Sequence, residues 1–308
     1  MGLFNARPAK NIGVGKDERK KRGFFLYIDV LWNKMFKMVG ANCLYTLTSL
    51  LWLVGLYYFF GIMLINTGLM DYIAGMIMNA VPDANRAEMV ANVSVMIQIF
   101  LSVAVFVLWG SGPSSAAYAY INRCFTRSEP VWVVSDGWDK FKENFKQAIV
   151  VVVIDALFLF FAFFSVSFYH SMYTETHSLI WMITEYLIIV AAAIYTMMHS
   201  YLYHLMVTFE CSISSLYKNA LYMTLAKLPG TLVVNAISAG ILVGIFMLID
   251  LNPLFAAILV GVFGLCVTRY VTDFYAARVI DRNILKNMKE KNAKAPVIEY
   301  EDEEETAE

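Results

Sequence analysis

An all-α, polytopic membrane protein of about six transmembrane helices is the fold the sequence predicts. Three observations predict it: the chain is too apolar for a water-soluble domain, its apolar residues gather into long runs, and its basic residues fall in alternate connecting segments. Of 308 residues, 59% are hydrophobic and 16% charged, and the mean hydropathy is +0.58. Soluble domains hold ~45–50% apolar residues. The runs reach ~20 residues, the length that crosses a ~30 Å hydrocarbon layer as a helix.

In chain order, residues 1–23 read as a basic, disordered N-terminus, 24–289 as a single six-helix membrane domain, and 290–308 as an acidic, disordered tail containing Glu301 to Glu305. The N-terminus has no signal-peptide order, and Ala6 stands where a myristoylation motif requires Ser or Thr. Residues 24–37 mix aromatic side chains with Asp29, Lys34 and Lys37, which suits a helix lying in the interface. The spans are expected at 42–65, 93–109, 148–168, 179–207, 231–248 and 254–271. Between them lie a polar segment at 66–92, an aqueous or interfacial segment at 122–146, a short loop at 170–177 and an interfacial segment at 212–227.

Orientation follows from the 24 basic residues. Nine precede the first span, five lie between spans two and three, two between four and five, and seven after the sixth; Arg86 alone falls on the other side. The positive-inside rule then places both termini in the cytoplasm, with the chain multi-pass in the cell membrane. Amphipathic segments precede spans 1, 3 and 5 on that side and end at Lys37, Lys146 and Lys227. The pattern reads either as three elbow-and-hairpin units or as ordinary snorkelling lysines.

The segment 110–147 holds two features. Gly110, Gly112 and Pro113 break the second span near its cytoplasmic end, and Pro113 suits the first position of a new helix through Ala116, Ala117 and Ala119. The break can leave free N–H groups at membrane depth or merely let small residues pack, and packing is the simpler reading. After it, Trp138, Phe141 and Phe145 share one helical face with Val134, while Asp136 can cap the first turn. That face can float among headgroups or dock on a partner, as can Leu221 and Leu225 on the segment before span five.

Charges inside spans need partners. Asp155 in span three and His199 in the antiparallel span four lie at similar depth and can meet, as a helix tie or as a proton relay. Without a second acid at that depth the tie is favoured, and His204 reads as interfacial. Ala236, Gly240 and Gly244 form a small-residue face that Ala257 and Gly261 can match on span six. The four cysteines have no metal-ligand spacing and read as packing residues. No phosphate loop, HExxH or GxSxG occurs, so no enzyme, cofactor or metal is expected, and a net charge of −1 gives no argument for a nucleic-acid partner.

The stretches GPSSAAYAYINR (112–123), WDKFKENFKQA (138–148) and KNALYMTLAKLPGTL (218–232) resemble the YesL-like family of bacterial integral membrane proteins. The resemblance covers about 24–289 and is most specific at Gly112 and Pro113 with Phe141, Lys142, Asn144, Phe145 and Lys146; Ser114 and Ser115 depart from the family's Ala-Thr. That family has no established activity. The resemblance implies a context, because members are often encoded beside sugar ABC importers in Gram-positive bacteria. It makes a non-catalytic accessory of oligosaccharide import the leading expectation, with an ABC permease or ATPase subunit as partner. A proton-coupled secondary transporter using Asp155 and His199, and a sensor or scaffold acting through the acidic tail, are the alternatives.

Overall fold

Serine and glycine mark two bends in the described part of this chain. The computed structural model describes residues 23–68, 70, 71, 74–76, 86–247 and 264–285, and among these residues it is helical throughout with no strand. α1 (Phe24–Thr48) runs without interruption through Lys37, where an elbow was expected. Nothing there removes a backbone hydrogen bond. The bend comes at Ser49, where α1 meets α2 (Leu50–Asn66) at 59°. Thr48 Oγ1 donates to the carbonyls of Leu44 and Tyr45, 2.9 and 3.1 Å away, a side-chain competition with the ladder that bends helices.

α3 (Arg86–Leu108) begins earlier than the predicted span, and after four residues α4 (Pro113–Arg127) follows. α5 (Val133–Glu143) ends at Asn144, and α6 (Phe145–Thr176) starts at once. The expected loop at 170–177 is therefore mostly helix; only His177, at φ +50°, and Ser178 turn the chain into α7 (Leu179–Met206). No Gly or Pro interrupts 170–176, so nothing ends α6 at the edge of its apolar run. Ser212 caps α8 (Ile213–Ala226) by accepting from the Ser215 N–H, and Lys227 joins it to α9 (Leu228–Met247). The elbows expected near Lys146 and Lys227 thus coincide with helix junctions, and the one at Lys37 is displaced to Ser49. α10 (Leu265–Ile280) closes the described chain with a π-helical turn, Asp281–Leu285.

Among the described residues four helices, α3, α6, α7 and α9, are long and apolar enough to cross a membrane, and the bent α1–α2 pair makes a fifth if it crosses as one. Most of the predicted sixth span lies outside the described residues, as do Ala257, Gly261, most of the N-terminal segment and the acidic tail. No described residue comes within 4 Å of a Cβ built on Gly240 or Gly244.

α4 is the hub. It packs on α1, α5, α7 and α10, and residues from Pro113 to Thr126 are buried with few exceptions. On one side Tyr118, Ile121 and Phe125 join a core with Tyr45, Phe60 and Phe106; on the other, Ala116 and Ala119 join Val151, Tyr201 and Leu216. Away from that hub, α6 and α7 turn Phe160, Phe161, Phe164, Ile180, Leu187 and Val190 outward. A contiguous apolar exterior of this size is costly in water and compatible with a membrane-embedded protein.

Candidate functional site

The break at 110–112 is built from conformations that side chains resist. Gly110 has φ +94° and Gly112 φ +70°. A Cβ on Gly112 would meet Val152 Cγ2 at 2.5 Å and the Ala148 carbonyl oxygen at 3.2 Å, so the start of α4 rests directly on α6. Pro113 occupies the first helical position as its missing N–H allows. The N–H groups that the break exposes are taken within the protein. Ser111 donates to Ser115 Oγ at 2.7 Å and Gly112 to the Tyr203 hydroxyl at 3.1 Å. The Gly110 carbonyl accepts from Trp52 Nε1 at 2.9 Å, and the Ser49 and Ser111 hydroxyls lie 2.6 Å apart. The α1–α2 bend and the α3–α4 break therefore meet and are pinned together.

Beside Trp109, the residue just before the break, a buried pair forms between α6 and α7. His199 Nε2 lies 2.9 Å from Asp155 Oδ1, with Asp155 2% and His199 4% exposed. Tyr195 donates its hydroxyl to the same Oδ1 at 2.7 Å and lies 3.3 Å from the Tyr217 hydroxyl on α8. Trp109 stacks on the His199 ring at 5.4 Å and anchors its own Nε1 on Thr196 Oγ1 at 2.9 Å. Phe158 stacks on Tyr195 at 3.9 Å. The pair sits in an aromatic box, and α7 contributes two of its members through residues one helical turn apart.

On the other side of the break lies a second buried cluster that the sequence reading did not single out. Arg269, 4% exposed, donates from Nη1 to the Tyr45 hydroxyl at 2.6 Å. Its guanidinium lies 5.1, 5.8 and 5.9 Å from the ring centres of Tyr45, Tyr118 and Tyr203, within cation–π range. Asp273, one turn on, has Oδ2 at 3.9 Å from Arg269 Nε and accepts there from Asn122 Nδ2 at 2.6 Å; its Oδ1 lies 3.1 Å from His204 Nε2. Asp273 is thus a second buried acid, and His204 beside it is buried too, at 1% exposed. Tyr203 joins the clusters: its hydroxyl holds Gly112 and its ring lies between Arg269 and His199, 6.4 Å from the latter.

Two signals could have found this cluster. Arg269 lies inside the predicted sixth span yet was counted with the basic residues after it, and Asp273 follows at i+4, the spacing of a helical ion pair. Tyr45, Tyr203 and Asn122 carry no such signal.

The other singled-out residues lie elsewhere. Trp138 and Phe141 stack at 5.2 Å on α5, while Phe145 belongs to α6 and lies 5.7 Å from Phe141. Asp136 caps α5 by accepting from the Trp132 N–H at 2.9 Å. Between α5, α1 and α4 is an apolar cavity of about 100 Å³ lined by Trp138, Phe141, Leu44, Tyr45, Ala117 and Ile121. Trp138 and Phe145 remain about half exposed, at 52% and 45%. On α8, Leu216, Ala220 and Met223 face inward, whereas Leu221 and Leu225 face out with Tyr222. At the far end of α4, Arg127 Nε reaches Asp281 Oδ2 at 3.1 Å, and that bond holds its guanidinium above its ordinary basicity.

Compared with family models, curated proteins and solved structures, the chain finds no match in any of the three.

Proposed function

We propose that this chain is a non-catalytic integral membrane protein, with both termini in the cytoplasm, that serves as an accessory of an oligosaccharide ABC import system. The observation that carries the reading is the pair of short helices α5 and α8. α5 follows the buried hub helix α4 and α8 follows the apolar α7, and each presents apolar side chains outward: Trp138 from α5, and Leu221, Tyr222 and Leu225 from α8. Helices of this kind seat in grooves of cytoplasmic partners. The basic connecting segments put both on the cytoplasmic side, and the YesL-like resemblance supplies the sugar-import context. Purification in gentle detergent from cells growing on the oligosaccharide should recover a permease or ATPase subunit. Recovery of neither would sink the proposal.

A second reading, a proton-coupled secondary transporter, is favoured by one specific observation, the buried Asp155–His199 contact beside a broken helix. Its test is uptake by vesicles containing the protein alone. An absence of gradient-driven uptake, or uptake unchanged in Asp155→Asn, would remove it.

A further inference from the structure

We infer that Asp155 and His199 together form a binding site for one proton, and that the Tyr217 and Tyr195 hydroxyls are the path by which that proton enters and leaves. For its use the inference rests on the transporter reading; the site itself can be tested without any substrate.

The proton count follows from the ring's two contacts. His199 Nδ1 lies 3.0 Å from the Tyr195 carbonyl oxygen. A carbonyl only accepts, so Nδ1 carries a proton. Nε2 at 2.9 Å from Asp155 Oδ1 then has one way to be bonded: a single proton between them, written either as carboxylate with imidazolium or as carboxylic acid with neutral imidazole. Both forms are net neutral, as burial requires. Remove that proton, and a lone pair faces a carboxylate oxygen in a nearly closed site, with a net negative charge. The contact cannot outlast the loss, so proton occupancy is coupled to the α6–α7 contact.

The path is set by the same hydrogen bonds. Tyr195 donates to Asp155 Oδ1, which leaves its oxygen free to accept from Tyr217, 3.3 Å away. Tyr217 is only partly buried, on α8. Starting from the empty pair, an outside water gives a proton to the Tyr217 oxygen. Tyr217 passes its own proton to Tyr195, and Tyr195 passes its own to Oδ1. Oδ1 then protonates or hydrogen-bonds Nε2. Each phenol ends neutral, one proton has entered, and the water is left as hydroxide or is resupplied. The titratable or charged groups around the pair are Tyr195 and Tyr203 on α7, Tyr217 on α8 and, across the Tyr203 ring, Arg269 on α10; the break between α3 and α4 contributes the Trp109 ring.

The chain has four histidines, so a histidine-¹⁵N spectrum of the full protein in nanodiscs is assignable with His199→Gln. Wild type should show His199 with a bonded proton on Nδ1 and a single one-proton step at Nε2. Asp155→Asn should move that step, because the amide cannot share the proton as the carboxylate does. Tyr217→Phe keeps the ring and should leave occupancy unchanged while slowing proton exchange at Nε2 by roughly 10²-fold. A His199 ring lacking the Nδ1 proton, or a step that Asp155→Asn does not move, overturns the site. Exchange at the wild-type rate in Tyr217→Phe overturns the path. Should Asp155→Asn not fold, Tyr195→Phe serves in its place, because it keeps the stacked ring, removes one donor from Oδ1 and cuts the path, and it must alter both step and rate. If the proton site holds and vesicles show no uptake, the transporter reading alone is lost.

Discussion

Asp155 and Arg269 are the residues whose surroundings constrain the protein most. Each is a charge inside a nearly closed shell, and each is satisfied by groups from other helices. Deleting one partner of such a contact leaves the other charged and buried, which costs about 3–5 kcal/mol. Asp155→Ala is therefore expected to lower the melting temperature in detergent far more than Asp155→Asn, whose amide oxygen still accepts from Tyr195. Arg269→Met should destabilise by a similar ~3–5 kcal/mol, because Asp273 then keeps only Asn122 and His204. Equal melting of wild type and Arg269→Met would show that the guanidinium is dispensable. Asp155 and His199 were legible because charge within a long apolar run is rare and the two depths agreed. Arg269 was not, because at the end of a span a buried arginine and a flanking one look alike in sequence. Only the course of α10 between α4 and α7 decides between them.

Among elements, the two bends matter most. The sequence marked Gly110, Gly112 and Pro113 plainly, since glycine and proline punctuate helices. It did not mark Ser49, because a serine beside a threonine in an apolar run is usually accommodated without a bend. Gly112→Ala should cost at least ~1–3 kcal/mol, from a positive φ alone, with further loss from the overlap with Val152. Thermal unfolding checks this, and an alanine variant as stable as wild type would mean that α4 can lift from α6. The short helices α5 and α8 behave oppositely. Their outward side chains contribute little to the fold, so Leu225→Ser should melt within about 0.5 kcal/mol of wild type. Combined with Trp138→Ser, it should abolish recovery of import subunits. Recovery undiminished in that variant would exclude these faces as the docking surface. The face expected to run from Trp138 to Phe145 is divided by Asn144, a junction that periodicity alone does not reveal.

At the scale of the whole molecule, an inner hub around α4 carries the polar groups, and an outer ring of apolar helices faces outward. The outer ring was readable from composition, since any helix that long and apolar must be covered by lipid or protein. The hub was only half readable: its polar groups come from α1, α4, α6, α7, α8 and α10, and no local pattern tells that they converge. Many of its polar groups bond one another, whereas α5 and α8 turn apolar side chains outward, and the accessory reading rests on those two helices. The most direct measurement is oligosaccharide uptake into vesicles containing this protein alone under an imposed proton gradient, beside vesicles that also contain the ATP-driven importer. The account predicts no uptake by the protein alone and stimulated, ATP-dependent uptake when it joins the importer. Gradient-driven uptake by the protein alone would contradict it.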